Sequence, residues 1–82
     1  MSGGGDADVL VRYIIEALVD KPEAVTITKN DEGRQTVYAV TVDADDVGKV
    51  IGRQGRIIKA IRTLARAAAS VDGGDATVEI IG

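Results

Sequence analysis

The stretch VGKVIGRQGRIIKAIRTLAR, residues 47–66, decides how the rest of the chain is read. At its centre stands Gly52-Arg53-Gln54-Gly55, with Val50 and Ile51 before it and Ile57, Ile58 and Ile61 after it. This reads as two helices joined by a tight turn. Two glycines at that spacing let the backbone bend with no side chain above it. The second glycine opens a helix whose first N–H groups have no partner within the helix. Free N–H groups, the positive end of a helix dipole and nearby cations together suit a phosphodiester. The stretch supplies Lys49, Arg53, Arg56, Lys59, Arg62 and Arg66, and contains no Asp or Glu.

Charge elsewhere runs the other way. The 82 residues carry a formal net charge of −3. Residues 1–46 hold ten acidic and four basic side chains, residues 47–69 six basic and none acidic, and residues 70–82 three acidic and none basic. The positive excess is therefore confined to the helix–turn–helix, and the distribution says more about an anionic partner than the sum does. The acidic remainder disfavours indiscriminate polyanion binding.

Length and composition bound the rest. A chain of 82 residues makes one domain with a modest core. With no Cys there is no disulfide framework and no thiolate metal site. With no His the commonest general base is missing too. No nucleophile–base set remains, so an enzyme is not expected, nor a cofactor or metal. No apolar run approaches the ~20 residues of a membrane span, and no charged-then-apolar leader is evident. A soluble, cytoplasmic protein is the expectation.

Outward from the turn, the elements follow from pattern. Residues 1–6 read as a flexible Ser/Gly-rich leader and 7–82 as the folded domain. A helix over about 7–20 is capped by Asp6 or Asp8. It places Val9, Leu10, Tyr13, Ile14, Ala17 and Leu18 on its apolar face and Arg12, Glu16 and Asp20 opposite, and it stops before Pro22. Residues 25–28 and 36–42 alternate as strands around a turn at 30–33, forming an antiparallel hairpin, with Tyr38, Val40 and Val42 on one face. Asp43, Asp45 and Asp46 cap the short helix ending near Ile51. Three carboxylates so close resemble a calcium loop only superficially, because the glycine and distant Glu of such a loop are missing. Gly48 inside that helix costs about 1 kcal/mol against Ala, which close helix packing would justify. At ~100° per residue, Ile57, Ile58, Ile61, Leu64, Ala65 and Ala68 form a core face of the next helix, about 56–71. Arg56, Lys59, Arg62 and Arg66 form a separate basic stripe. Asp72-Gly73-Gly74-Asp75 ends that helix. Residues 76–81 form a last strand, parallel to 36–42 after a two-helix crossover.

The run Val50-Ile51-Gly52-Arg53-Gln54-Gly55-Arg56-Ile57-Ile58-Lys59-Ala60-Ile61 resembles the KH-domain signature V-I-G-x-x-G-x-x-I-x-x-I. The order α-β-β-α-α-β resembles the type II KH fold, an α+β fold with a three-stranded mixed sheet and three helices packed on one face. In size, and in Leu18-Val19-Asp20-Lys21-Pro22 and Asp46-Val47-Gly48-Lys49, the chain is similar to the KhpA family, small bacterial RNA-binding proteins with a single KH domain. KH domains clamp about four nucleotides of single strand against the GXXG loop.

The resemblance implies single-stranded RNA as partner. It also implies an RNA chaperone or post-transcriptional regulator, linked in some bacteria to cell elongation and envelope homeostasis. Homodimers, or heteromers with a larger KH-containing, KhpB-like protein, are implied as well. Carried onto this sequence, Gly52 and Gly55 let the RNA backbone approach the peptide. Arg53 pairs with a phosphate, and Gln54 donates to phosphate or sugar. Lys49, Arg56 and Lys59 are flanking phosphate contacts, and Ile51, with Ile58 and Val40, floors an apolar groove. Arg62 and Arg66 read equally as a solvated face. There is no Phe or Trp, and both tyrosines lie outside the motif. Stacking is therefore not evident, and a small site of this kind gains useful affinity by pairing with a second one. A ribosome-associated or ribosome-maturation factor, and a KH-fold protein-interaction module, are the competing classes.

Overall fold

The computed structural model describes residues 4–71 and 73–81. In chain order these form α1 (Gly4–Leu18), β1 (Thr26–Glu32), β2 (Gln35–Thr41), α2 (Val47–Ile51), α3 (Arg56–Ser70) and β3 (Asp75–Ile81). Short 3-10 turns at Pro22–Ala24, Ala44–Asp46 and Arg53–Gly55 complete the path.

The sheet order is β1-β2-β3, with β1 antiparallel and β3 parallel to β2. The parallel pair requires a crossover, which α2 and α3 supply. The register aligns Tyr38 with Val78, and Val40 with Ile27 on one side and Ile80 on the other. Tyr38, Val40, Ala76 and Val78 are buried against Ile15 and Val11 of α1, Val50 of α2 and Ile58, Ile61 and Ala65 of α3. This is the type II KH arrangement of an α+β domain, with the helices on one sheet face.

Several boundaries differ from the sequence pattern. Helix α1 begins at Gly4, so residues 4–6 are helical and neither Asp6 nor Asp8 stands at its N-cap. Asp8 instead accepts the Tyr38 hydroxyl and faces Lys29 at 3.6 Å, tying α1 to the hairpin. Burial, then this hydrogen bond, pushes the Tyr38 phenol above its ordinary pKa. The buried face of α1 is also rotated from expectation. It is Ala7, Val11 and Ile15, continued by Val19 just past the helix end, with Ile14 and Leu18 beside it, while Val9 and Tyr13 are 66% and 72% exposed. Apolar residues occur nearly all round this helix, so periodicity alone does not choose the face; docking onto α3 and the sheet does. Strand β1 continues through Asn30, Asp31 and Glu32, which pair with Val37, Thr36 and Gln35, leaving Gly33 and Arg34 as the turn. Gly33 has φ +71°, as a two-residue hairpin turn favours.

Helix α3 is closed by two hydrogen bonds, Gly74 N–H to Ala69 O at 3.2 Å and Gly73 N–H to Ser70 O at 3.0 Å. With Gly73 at φ +77° this is the left-handed stop expected from the glycine pair. Asp72 and residues 1–3 of the expected leader lie outside the described residues. Leu64 departs from its expected core place: it is 47% exposed, at the edge of the α3 apolar face.

Candidate nucleic-acid interface

The turn between α2 and α3 is built as its composition requires. Gly52 ends α2 with φ 77° and ψ 172°, its N–H donating to Gly48 O at 2.9 Å. An L-residue rarely adopts that backbone. A Cβ on Gly52 would also lie 2.5 Å from Ile57 Cγ1 and 2.9 Å from Ile57 Cβ. Gly55 has φ 72° and ψ 18°, and its N–H returns to Gly52 O at 3.1 Å. A Cβ there would meet only Ile58 Cγ2, at 3.8 Å. The two glycines therefore do different work: Gly52 seats α2 against α3, and Gly55 turns the chain. Between them Gln54 is itself left-handed, at φ 58° and ψ 24°, the only non-glycine with positive φ among the described residues.

Arg53 and Gln54 are exposed at the tip of this turn. Gln54 Oε1 accepts from Arg56 Nη2 at 3.4 Å, which leaves the amide N–H groups of this exposed side chain available as donors. Among the described residues no side chain caps the start of α3. Arg53, Arg56 and Lys59 are exposed and make no ion pair among the described residues. The open end of the turn thus gathers unneutralised cations around an uncapped helix start.

The remaining basic side chains divide. Arg62 Nε donates to Val78 O on β3 at 2.9 Å, and Arg66 Nε lies 3.3 Å from Asp75 Oδ1. Both are tied to β3, a role that the reading of them as a solvated face or as RNA contacts did not include. Lys49 points away from the turn, its Nζ 2.7 Å from Asp20 Oδ2 and 3.0 Å from Asp46 Oδ1.

Of the expected groove floor, Val40 and Ile58 are core, and only Ile51 is half-buried at the surface. Tyr38 is buried and Tyr13 lies on α1, so neither stands at the turn.

Asp43 caps the Ala44–Asp46 turn as its type predicts, accepting Asp45 N–H at 3.0 Å. Asp46 was also expected to cap α2 and does not: it is buried and makes no side-chain cap bond. Its i,i+3 spacing to Lys49 was the available signal for the ion pair it forms instead. Gly48 overturns another expectation. It is exposed, and a Cβ there would find nothing within 4 Å, so helix packing is not the reason for a glycine.

The model of the KhpA/KhpB KH domain matches residues 8–80. The chain belongs to this KH-domain family. Among curated relatives, the RNA-binding protein KhpA of Oceanobacillus iheyensis is 53% identical over 58 residues, 71% of this chain and 77% of that one. The Chlamydia trachomatis protein of that name is 45% identical, covering 84% of this chain and 88% of its own. The Listeria monocytogenes one is 44% identical, covering 88% and 95%. These relatives are named for binding RNA. In fold, the chain is similar to part of a point variant of Aquifex aeolicus Era, with TM-score 0.62 and 22% identity over 90% of this chain and 29% of that one.

Proposed function

We propose that this chain binds single-stranded RNA by laying the nucleic-acid backbone against Gly52-Arg53-Gln54-Gly55, and that it acts in the cytoplasm as an RNA chaperone or post-transcriptional regulator. The observation that carries the reading is the open turn itself. Two positive-φ glycines bare the backbone at the point where Arg53, Arg56 and Lys59 stand without carboxylate partners among the described residues. The names of the KhpA relatives support RNA as the ligand. In this reading Arg53, Arg56 and Lys59 meet phosphates, Gln54 donates from its amide, and half-buried Ile51 offers an apolar floor to the bases. A link to cell elongation and envelope homeostasis follows the family resemblance.

One such site lacks aromatic platforms and reads few bases, so pairing would supply affinity. Ala60, Leu64, Ala67 and Val71 recur along one exposed face of α3 and its last turn, which favours pairing with a second copy or with a larger KhpB-like protein. Sedimentation at micromolar concentration tests this: a monomer that alone binds short RNA tightly at physiological salt would refute it.

The clamp is tested by replacing Arg53 and Gln54 together with Asp. Both side chains are exposed, and Asp tolerates the left-handed backbone at position 54, so the melting curve should not change. Fluorescence anisotropy with a short single-stranded RNA should show binding lost. Wild-type binding should follow a log–log salt slope of roughly −1.5 to −2, as two or three phosphate contacts require. Unchanged affinity in the folded variant, or a salt-independent wild type, would count against the clamp.

A further inference from the structure

Asp46 is 1% exposed, yet it is a carboxylate in an ion pair. Its Oδ2 accepts the backbone N–H of Lys21 at 3.1 Å, and its Oδ1 accepts Lys49 Nζ at 3.0 Å. One buried group thus joins the link between α1 and β1 to helix α2. Burial opposes its charge, but the hydrogen bonds from Lys49 and from the backbone at Asp20 and Lys21 outweigh burial and hold the carboxyl below its usual range. The same two carboxylates, Asp20 and Asp46, hold the Lys49 ammonium above its usual range.

An ammonium clasped in this way is a poor phosphate ligand. Two carboxylates more than match its charge, and they are joined by Asp43 and Asp45, which face Lys21 at 3.5 and 3.6 Å. Phosphate approaching the base of α2 would meet four carboxylates and two ammoniums. Meanwhile α2 has only five residues, too few for a helix to hold itself. Its last residue passes directly to Gly52, whose bare Cα fits against Ile57. Whatever fixes α2 therefore fixes the loop.

We propose that Lys49 and Asp46 are positioning residues for RNA binding: their ion pair anchors α2 to the Asp20–Lys21 backbone and holds Gly52 in its seat, and Lys49 itself does not contact phosphate. The proposal rests on the RNA-binding reading of the loop, and its test separates the two.

The variants are K49M, K49R and D46N, in the full chain, at a temperature where each is folded. RNA affinity is measured across a salt series, and amide hydrogen exchange at Gly52 and Gly55 is measured in the free protein. If K49M cuts the prepared fraction of loops to about one-fifth, the apparent Kd rises about fivefold. The salt slope should stay at its wild-type value, and exchange at both glycines should quicken. K49R should restore affinity and protection, D46N should behave as K49M does, and the K49M/D46N double variant should be no worse than the poorer single one. A slope smaller by about 0.7 in K49M would instead make Lys49 a phosphate ligand and overturn the proposal. So would wild-type affinity and exchange in folded K49M. Should K49M not fold, D46N decides: weaker binding with quicker exchange at both glycines supports the proposal, and affinity at or above the wild-type value overturns it. If the wild type binds no RNA, the reading of the loop fails, while the exchange measurement still decides whether the ion pair holds Gly52.

Discussion

Replacing Gly52 with Ala should damage this domain far more than replacing Gly55, although the family motif treats the two alike. Two costs add at Gly52. The first is backbone: φ 77° with ψ 172° is a region that residues with a Cβ avoid, costing about 1–3 kcal/mol. The second is steric. The new methyl would sit 2.5 Å from Ile57 Cγ1 and 2.9 Å from Ile57 Cβ. Rotating Ile57 moves Cγ1 but not Cβ, so the start of α3 must shift, at about 1–3 kcal/mol for an overpacked site. Together these make about 2–6 kcal/mol, against a total of about 4–12 kcal/mol for a domain of this size.

At Gly55 the methyl meets only Ile58 Cγ2 at 3.8 Å. The cost there is the left-handed conformation alone, about 1–2 kcal/mol. Urea denaturation of the two variants reads the difference directly. Adding Ile57→Ala to Gly52→Ala should recover part of the steric cost and none of the backbone cost. Equal midpoints for Gly52→Ala and Gly55→Ala, or a Gly52→Ala variant within about 0.5 kcal/mol of wild type, would refute the assignment of Gly52 to the α2–α3 seat.

Two further outcomes follow from the same geometry. Gly48→Ala should stabilise the fold by about 0.5–1 kcal/mol, because its Cβ enters open space on a helix; a thermal melt shows this as a raised Tm. Asp46 should make the domain sensitive to acid. Its folded pKa is depressed, so its contribution is complete above the unfolded carboxyl value near 3.9 and is lost as pH falls through the lower folded value. Stability measured between pH 2 and pH 5 should decline less in D46N than in wild type, and parallel acid limbs would contradict the assignment.

Much of the geometry of the candidate site was legible because local chemistry dictates it. A Gly-x-x-Gly turn between apolar helical runs needs positive φ at both glycines, and both have it. Cations concentrated in one segment, in a chain otherwise acidic, fall near that turn for the simple reason that they are near it in sequence. Strand alternation put Tyr38, Val40 and Val42 on one face, and all three are buried, Val42 just past the end of β2. The glycine stop after α3 and the aspartate cap before α2 are contacts within a few residues, which sequence spacing specifies.

What the sequence alone determined, then, was the order of elements, the parallel third strand implied by a two-helix crossover, and the chemistry of the exposed turn. Tertiary structure decided which face of α1 is buried, since a helix apolar nearly all round has no preferred side until it meets α3 and the sheet. It also decided which cations remain free. Lys49 is held by Asp20 and Asp46, Arg62 by the Val78 carbonyl, and Arg66 by Asp75, whereas Arg53, Arg56 and Lys59 are left at the turn. For two of these contacts the cause is distance along the chain: Lys49 meets Asp20 across 29 positions and Arg62 meets Val78 across 16. Contacts of that span exist only once the helices have closed over the sheet.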